Sequence, residues 1–296
     1  MARKTAQDFD QELLILFDAY VHGTLDRRGF LERAQKFAVG GMTAGGLLGA
    51  LSPDFAIGQV VPKDDKRITT ELLEVSSLQG YGTIKGYLAR PANVTGKLPA
   101  ILVVHENRGL NPHIEDIARR LALDGYMAFA PDALTPLGGY PGDEDKAREL
   151  FAKLDQKRTR EDFVAAAQWL TARADCTGKV GSVGFCYGGG EVHALAVRLP
   201  GLAAGVPFYG NQPAADDAAK VKAPLQMHFA AMDDRINNGR IAYEAALKAG
   251  GVNFTAYQYA GTQHGFNNDT TPRFDAPSAK LAWERTMAFF NQTLRG

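Results

Sequence analysis

The chain of 296 residues has two cysteines, no net charge and no long hydrophobic run. Two cysteines do not suggest a disulfide framework. The 33 basic and 33 acidic residues cancel and form no basic block, so we expect neither nucleic acid nor an anionic membrane as a partner. The uncharged, mildly apolar segment 37–51 spans about 15 residues, whereas a membrane-spanning helix needs roughly 20.

Strand-like and helix-like patterns alternate along most of the chain. Short apolar strands are predicted at residues 72–75, 82–90, 100–105, 127–131, 180–184, 204–208, 225–229 and 254–259. Helical patterns separate most of the later strands. This alternation predicts an α/β fold, a mostly parallel central sheet with helices on both faces. We expect residues 61–296 to form this domain and residues 1–60 to form a helical extension.

The segment 179–190 carries the most specific chemical pattern. An apolar run breaks at Gly184 and passes through Cys186 into a glycine run, after which residues 191–199 have a helical pattern. This is the context of a nucleophile elbow, G-x-C-x-G, a sharp strand-to-helix turn. Gly184 and Gly188 are expected there because a Cβ would collide with adjoining backbone. A helix N-terminus would favour the Cys186 thiolate, although a lone cysteine is also a common core residue.

An acid and a histidine follow in the order that this fold requires, nucleophile, acid, histidine. Asp233 and Asp234 come directly after the strand-like segment 223–230, and Asp233 is favoured because it is the first to leave the strand. His264 lies just past the strand-like segment 253–260, next to a glycine, and is the predicted catalytic base. The other five histidines lie before, within or beside other elements. They are His22, His105, His113, His193 and His228.

The loop after the strand at 100–105 supplies the remaining predicted parts of the site. In this architecture that loop and the residue after the nucleophile provide two backbone N–H groups for an oxyanion hole. The candidates are the N–H groups of Asn107 and Tyr187. Glu106 would then lie beside the thiol. The alternative is that Glu106 is a loop acid paired with Arg108 or Arg119.

Four motifs together resemble the dienelactone hydrolase family, a cysteine branch of the α/β-hydrolases. They are H-E-N-R-G, G-F-C-Y-G-G-G, the strand-end aspartate and H-G-F, and the resemblance covers about residues 69–294. It implies an α/β-hydrolase fold with a triad of Cys186, Asp233 and His264. It also implies that Glu106 holds the cysteine in a less reactive state until substrate arrives. The expected reaction is hydrolysis of an ester, lactone or thioester through a covalent thioester, with no cofactor and no metal.

The resemblance weakens at the substrate contacts. Well-known members bind the carboxylate of a lactone acid with arginines, one of them four residues after the histidine. Here that position is Asn268. The predicted substrate-binding residues are Arg108, Tyr140 and Phe266, with Arg148 and Arg273 as further candidates for the missing arginine.

Two other functions are consistent with single features of the sequence. A redox or thiol-sensing protein would explain a reactive Cys186, but not the elbow, acid and histidine together. A non-catalytic binding or scaffolding member would retain the fold without the reaction. Activity of the wild type beside Cys186→Ala distinguishes the hydrolase from the non-catalytic member.

The first 60 residues allow two interpretations. Arg27 and Arg28 precede Phe30 and Leu31 as in a twin-arginine signal, with segment 37–51 as its apolar region. This pattern predicts export to the periplasm by the twin-arginine machinery, although Glu32 and the lack of a clean A-x-A cleavage site oppose it. The alternative is a cytoplasmic protein with a retained helical arm, including a predicted helix near residues 6–21. Such an arm would pack on the domain or on a second subunit of a homodimer.

Overall fold

The computed structural model describes residues 4–296, and within this range eight strands form one sheet. The strands are β1 Ile68–Ser77, β2 Gly82–Pro91, β3 Leu98–Val104, β4 Met127–Pro131, β5 Cys176–Phe185, β6 Ala204–Phe208, β7 Leu225–Met232 and β8 Phe254–Gln263. Their order is β1-β2-β4-β3-β5-β6-β7-β8. The β1–β2 and β2–β4 pairs are antiparallel and the remaining pairs are parallel. This is the predicted α/β-hydrolase sheet, with an antiparallel edge.

Helices cover both faces of the sheet, as predicted. They are α1 Gln11–Val21, α2 Arg27–Ala34, α3 Ala44–Leu51, α4 Phe55–Gly58, α5 Pro112–Leu123, α6 Glu144–Phe151, α7 Gln156–Ala172, α8 Tyr187–Arg198, α9 Asp234–Asn237, α10 Arg240–Ala249 and α11 Ala276–Phe290. Two apolar clusters result, one on each side of the sheet. The first contains Phe129 and Phe163, and the second contains Phe185 and Phe290. Burial of both sheet faces explains why β3, β4 and β6 have no exposed residue.

All eight predicted strands are present, and most of them extend further than the sequence indicated. The bounds of β4 and β6 agree with the prediction, because turn residues delimit these short apolar runs. The helix α7 ends at Ala172, and Cys176 is the buried first residue of β5.

Residues 4–60, here called the N-terminal arm, contain α1 to α4 and have an apolar cluster of their own. Its fully buried members include Phe17, Phe30 and Leu51. The glycine-rich segment before residue 51 forms α3 because Leu47 and Leu48 are also buried in this cluster. Apolar contacts within the arm therefore stabilise this glycine-rich segment. Across residues 4–296, no helix is both long and apolar enough to span a membrane.

The sheet brings four predicted site residues to one edge. Glu106 follows β3, Cys186 follows β5, Asp233 follows β7, and His264 follows β8. These strands are mutually parallel, so their carboxyl ends lie at the same edge. In open α/β sheets this is the edge at which ligands bind.

Candidate active site

Cys186 occupies a tight turn between β5 and α8. Its φ of 55° and ψ of −113° are unusual for a non-glycine residue. The Cys186 N–H donates to the carbonyl of Phe208 at 3.0 Å. A Cβ on Gly184 would lie 2.2 Å from the carbonyl oxygen of Gly188, and a Cβ on Gly188 would lie 2.2 Å from that of Val104. The predicted need for glycine at both positions is confirmed.

His264 and Asp233 form a buried pair beside the thiol. His264 Nδ1 lies 2.6 Å from Asp233 Oδ2, and both side chains are at most 5% exposed. Because a carboxylate can only accept, Nδ1 carries the proton of this bond. His264 Nε2 is buried and has no hydrogen-bond partner among the described residues. Asp234 is exposed and begins α9, so of the two adjacent acids only Asp233 contacts the histidine.

The surroundings of Cys186 favour its thiolate. Burial alone would raise the pKa of the thiol, but the positive charges of His22 and His264 lower it to about 6. Burial alone would likewise lower the pKa of His264, but the charge of Cys186 and the bond to Asp233 raise it to about 10. At neutral pH these pKa values favour an ion pair between the Cys186 thiolate and the protonated imidazole of His264.

Glu106 lies near the thiol but is bonded to another residue. Its Oε2 accepts a hydrogen bond from Asn268 Nδ2 at 2.9 Å. Glu106, Asn268 and Cys186 line one cavity of about 40 Å³. The asparagine that replaces the expected arginine therefore fixes the glutamate instead of leaving a cation for substrate. Neither Arg108 nor Arg119 makes a hydrogen bond to Glu106 among the contacts of the described residues.

The two predicted oxyanion donors lie at the start of α8 and after β3. Tyr187 is the first residue of α8, and the first N–H groups of a helix have no partner within the helix. Asn107 follows Glu106 after β3, and its side-chain Nδ2 donates to the carbonyl of Val21 at 2.9 Å. The oxyanion role of the two backbone N–H groups stays a prediction.

The three predicted substrate contacts differ in their positions. Arg108 is 6% exposed and lines the small cavity near Cys186. The hydroxyl of Tyr140 donates to Glu144 at 2.9 Å, and Glu144 lines that same cavity. Phe266 is completely buried against Tyr209 and Tyr259, which argues against a direct substrate contact.

The site contains one residue that the sequence analysis assigned to no role. His22, directly after α1, places Nε2 at 3.2 Å from Cys186 Sγ. Its ring lies edge-on to His264, with centroids 4.8 Å apart. Asp18 precedes it by four residues and contacts His22 Nδ1 through Oδ2 at 3.2 Å. The Asp-x-x-x-His spacing at a helix end is the signal that could have indicated this pair.

Two spaces adjoin Cys186. One is the small cavity of about 40 Å³ under the arm, which Arg108 and Arg273 also line. The other is a groove of about 780 Å³, lined by His22, Cys186, Tyr187 and Arg148 among others. The groove is large enough for a small-molecule substrate.

Three side chains of the site could also hold a metal ion. Among residues 4–296, the one such group combines His22, Cys186 and His264, with one ligand atom from each within 4.8 Å of the others. A thiol and two imidazoles are also the groups of a thiolate reaction centre. Their proximity alone therefore does not require a metal.

Comparisons with known families divide the chain as the fold does. The model described as the dienelactone hydrolase family matches residues 84–294, which is most of the catalytic domain. A model described as YqhI-like matches residues 1–39, within the predicted extension. Separate family models thus match part of the arm and most of the remaining chain.

Individual relatives support the larger match. The "Putative carboxymethylenebutenolidase" of Escherichia coli O157:H7 is 31% identical over 248 residues, covering 79% of this chain and 90% of that protein. The "Putative hydrolase fragment YghX" of Escherichia coli K12 is 51% identical over 114 residues, covering 38% of this chain and 97% of its own. A crystal structure titled a "Putative Dienelactone Hydrolase" from Klebsiella pneumoniae has a TM-score of 0.68 at 30% identity, over 76% of this chain and 99% of that one. The chain therefore belongs to the dienelactone hydrolase family and is a hydrolase of that type.

Proposed function

We propose that this hydrolase cleaves an ester, lactone or thioester through a Cys186–His264–Asp233 triad and a covalent thioester. The main support is the 2.6 Å contact between His264 and Asp233 beside a cysteine at the start of α8. The groove of about 780 Å³ gives an acyl substrate access to the sulfur.

In the acylation step, the thiolate of Cys186 attacks the carbonyl carbon of the substrate. The backbone N–H groups of Asn107 and Tyr187 stabilise the tetrahedral oxyanion. For an ester or lactone the C–O bond then breaks, and the departing alkoxide takes the proton from Nε2 of His264; a thioester would release a thiolate in the same way. The products of this step are a free alcohol and an acyl group bound to sulfur.

In the deacylation step, His264 is neutral and takes a proton from a water molecule. The resulting hydroxide attacks the thioester carbon, and collapse of the second tetrahedral species breaks the C–S bond. Cys186 leaves as a thiolate, and His264 is again protonated. The net reaction consumes one water and yields one acid and one alcohol.

Hydrolysis of p-nitrophenyl acetate by the full chain tests this proposal. Wild type should release p-nitrophenol, and Cys186→Ala should release it no faster than the uncatalysed reaction. Acid-quenched wild type should carry an acetyl group on the peptide containing Cys186. Activity retained in Cys186→Ala would contradict the mechanism, and an inert wild type would favour the non-catalytic binding member.

A redox role for Cys186 has one supporting observation, its pKa of about 6. The other cysteine does not assist such a role. Cys176 is the first residue of β5 and Cys186 follows the last, so the two cysteines lie at opposite ends of the same strand. They therefore cannot form a disulfide within one molecule. A redox cycle would need an external thiol, which makes hydrolysis the better-supported proposal.

The contacts of the arm favour its retention over removal as an export signal. Arg27 forms an ion pair with Asp145 of α6, and the following Phe30 is completely buried. Arg28 pairs with Glu32 on the exposed side of α2. Periplasmic export and a homodimer stay predictions. The N-terminus of the protein isolated from its native host distinguishes export from retention.

A further inference from the structure

The end of α1 is fixed to the catalytic domain at the active site. The carbonyl of Val21 accepts hydrogen bonds from Asn107 Nδ2 at 2.9 Å and from Arg108 Nη2 at 3.2 Å. Asp18 Oδ1 pairs with Arg273 Nη1 at 3.2 Å, and Arg273 is only 8% exposed. Three side chains of the catalytic domain therefore determine where the residue after Val21 is placed.

The residue placed there is His22, and its contacts define which ring nitrogen is free to take a proton. Nδ1 lies 2.8 Å from the backbone carbonyl of Asp18 and 3.2 Å from Asp18 Oδ2. Both atoms are acceptors, so Nδ1 carries a proton. Nε2 is then the basic nitrogen, and it lies 3.2 Å from Cys186 Sγ and 3.0 Å from the donor Nη2 of Arg235.

The sulfur thus lies beside two carboxylate–histidine pairs. Asp233 orients His264 and comes from the catalytic domain, whereas Asp18 orients His22 and comes from the arm. The thiol interacts with both imidazoles, and the hydrogen bond of 3.2 Å is the one to His22 Nε2. His264 Nε2 is the imidazole nitrogen that we place against a leaving group or a water.

We propose that His22 is a second catalytic imidazole, the base that takes the Cys186 thiol proton and keeps the sulfur as a thiolate. The S–H bond breaks, the proton moves to His22 Nε2, and the electron pair stays on sulfur. His264 is then reserved for proton transfer to the leaving group and from water. This inference rests on the proposed function for the use of the thiolate, but not for its formation.

Charged groups from several elements influence His22. Burial would lower its pKa, but Cys186 and Asp18 raise it, and His264 opposes them as a like charge. Arg235, after β7, places Nη2 at 3.0 Å from His22 Nε2 and opposes a second positive charge there. Burial would raise the pKa of Asp18, but the hydrogen bond to His22 and the charges of His264 and Arg273 hold it far below the usual range, so Asp18 stays an anion. The two anions that contact His22, thiolate and carboxylate, favour its protonated form.

The pH dependence of Cys186 alkylation by iodoacetamide tests the role of His22 in the full-length protein, with EDTA present to exclude metal binding. Wild type should show an inflection near pH 6. His22→Gln should move the inflection upward by about one unit, so that alkylation at pH 6 is about fivefold slower. Both proteins should reach similar rates at high pH, where both thiols are ionised. Added imidazole should restore part of the rate at pH 6 to His22→Ala, since the side-chain volume is then free.

Arg27→Gln is the matched control, because it removes an arm-to-domain contact and leaves the imidazole. It should retain the wild-type inflection, and a shift equal to that of His22→Gln would assign the effect to arm docking and overturn the proposal. An unchanged inflection in His22→Gln would also overturn it. Should His22→Gln fail to fold, Asp18→Asn should raise the inflection in the same direction, and no shift would count against the proposal. Absence of ester hydrolysis in the wild type, with the alkylation shift present, would refute the proposed function alone.

Discussion

The sharpest test of the triad compares two adjacent acids, through Asp233→Asn and Asp234→Asn. Asp233 is buried and bonded to His264 Nδ1 at 2.6 Å, whereas Asp234 is exposed and bonded to nothing in the site. An amide at position 233 can present an N–H to Nδ1. The proton of His264 then moves to Nε2, and the neutral imidazole can no longer accept a proton from water.

The size of the effect follows from which steps need the base. In serine triads the Asp→Asn change lowers kcat by about 10⁴-fold. Here the thiol has a pKa of about 6, so the nucleophile is ionised at neutral pH with less help from His264. Proton transfer to the leaving group and from water still depends on the histidine, and general acid–base catalysis contributes about 10²–10⁴-fold. We expect a loss of about 10³-fold in kcat/KM, or about 4 kcal/mol of transition-state stabilisation.

The assay is hydrolysis of p-nitrophenyl acetate at neutral pH, with thermal unfolding as a check of the fold. Asp234→Asn should change kcat/KM by less than about twofold, as is typical for an exposed position. Equal losses in the two variants would refute the orienting role of Asp233. A larger loss in Asp234→Asn would reverse the assignment of the acid.

Three further predictions concern the glutamate, the elbow and the arm. Glu106→Gln removes a negative charge near the thiol and should therefore speed alkylation of Cys186 below pH 7. An unchanged alkylation rate would show that Glu106 is only a loop acid bonded to Asn268. Gly188→Ala puts a Cβ 2.2 Å from the carbonyl oxygen of Val104. It should destabilise the fold by about 1–3 kcal/mol, which would be measured as a lower Tm. An unchanged Tm would contradict the tight turn. Mass spectrometry of the protein from its native host should find residue 22 in the mature chain. A mature start between residues 51 and 62 in the periplasm would instead support export and exclude a role for His22.

The fold could be predicted from the sequence, and so could the site residues that directly follow the ends of strands. Strand periodicity, glycine at the elbow and the order of nucleophile, acid and histidine are local patterns, and the sheet topology then brings their residues together. Asp233 and Asp234 could not be distinguished with certainty, because the choice depends on the backbone turn between β7 and α9. Only the structure argues against Phe266 as a substrate contact. No local sequence pattern predicts that its side chain packs against Tyr209 and Tyr259.

The position of His22 could not be predicted for a different reason. Its distance to Cys186 depends on how the arm docks, and that docking uses Val21, Asp18 and Arg273. Each of these contacts joins residues that are far apart in the chain. The sequence shows only that a carboxylate and an imidazole lie on one face near the end of a short helix.

The 3.2 Å contact between His22 and Cys186 also has a consequence for the synthesis of the protein. The two residues are 164 positions apart, so at typical translation rates the imidazole emerges about 10–30 s before the cysteine. His264 follows later still. Until both histidines reach the sulfur, the thiol of the nascent chain lacks the charges that make it acidic. The growing polypeptide thus carries an ordinary thiol, and the reactive form arises only when the two ends of the chain have met.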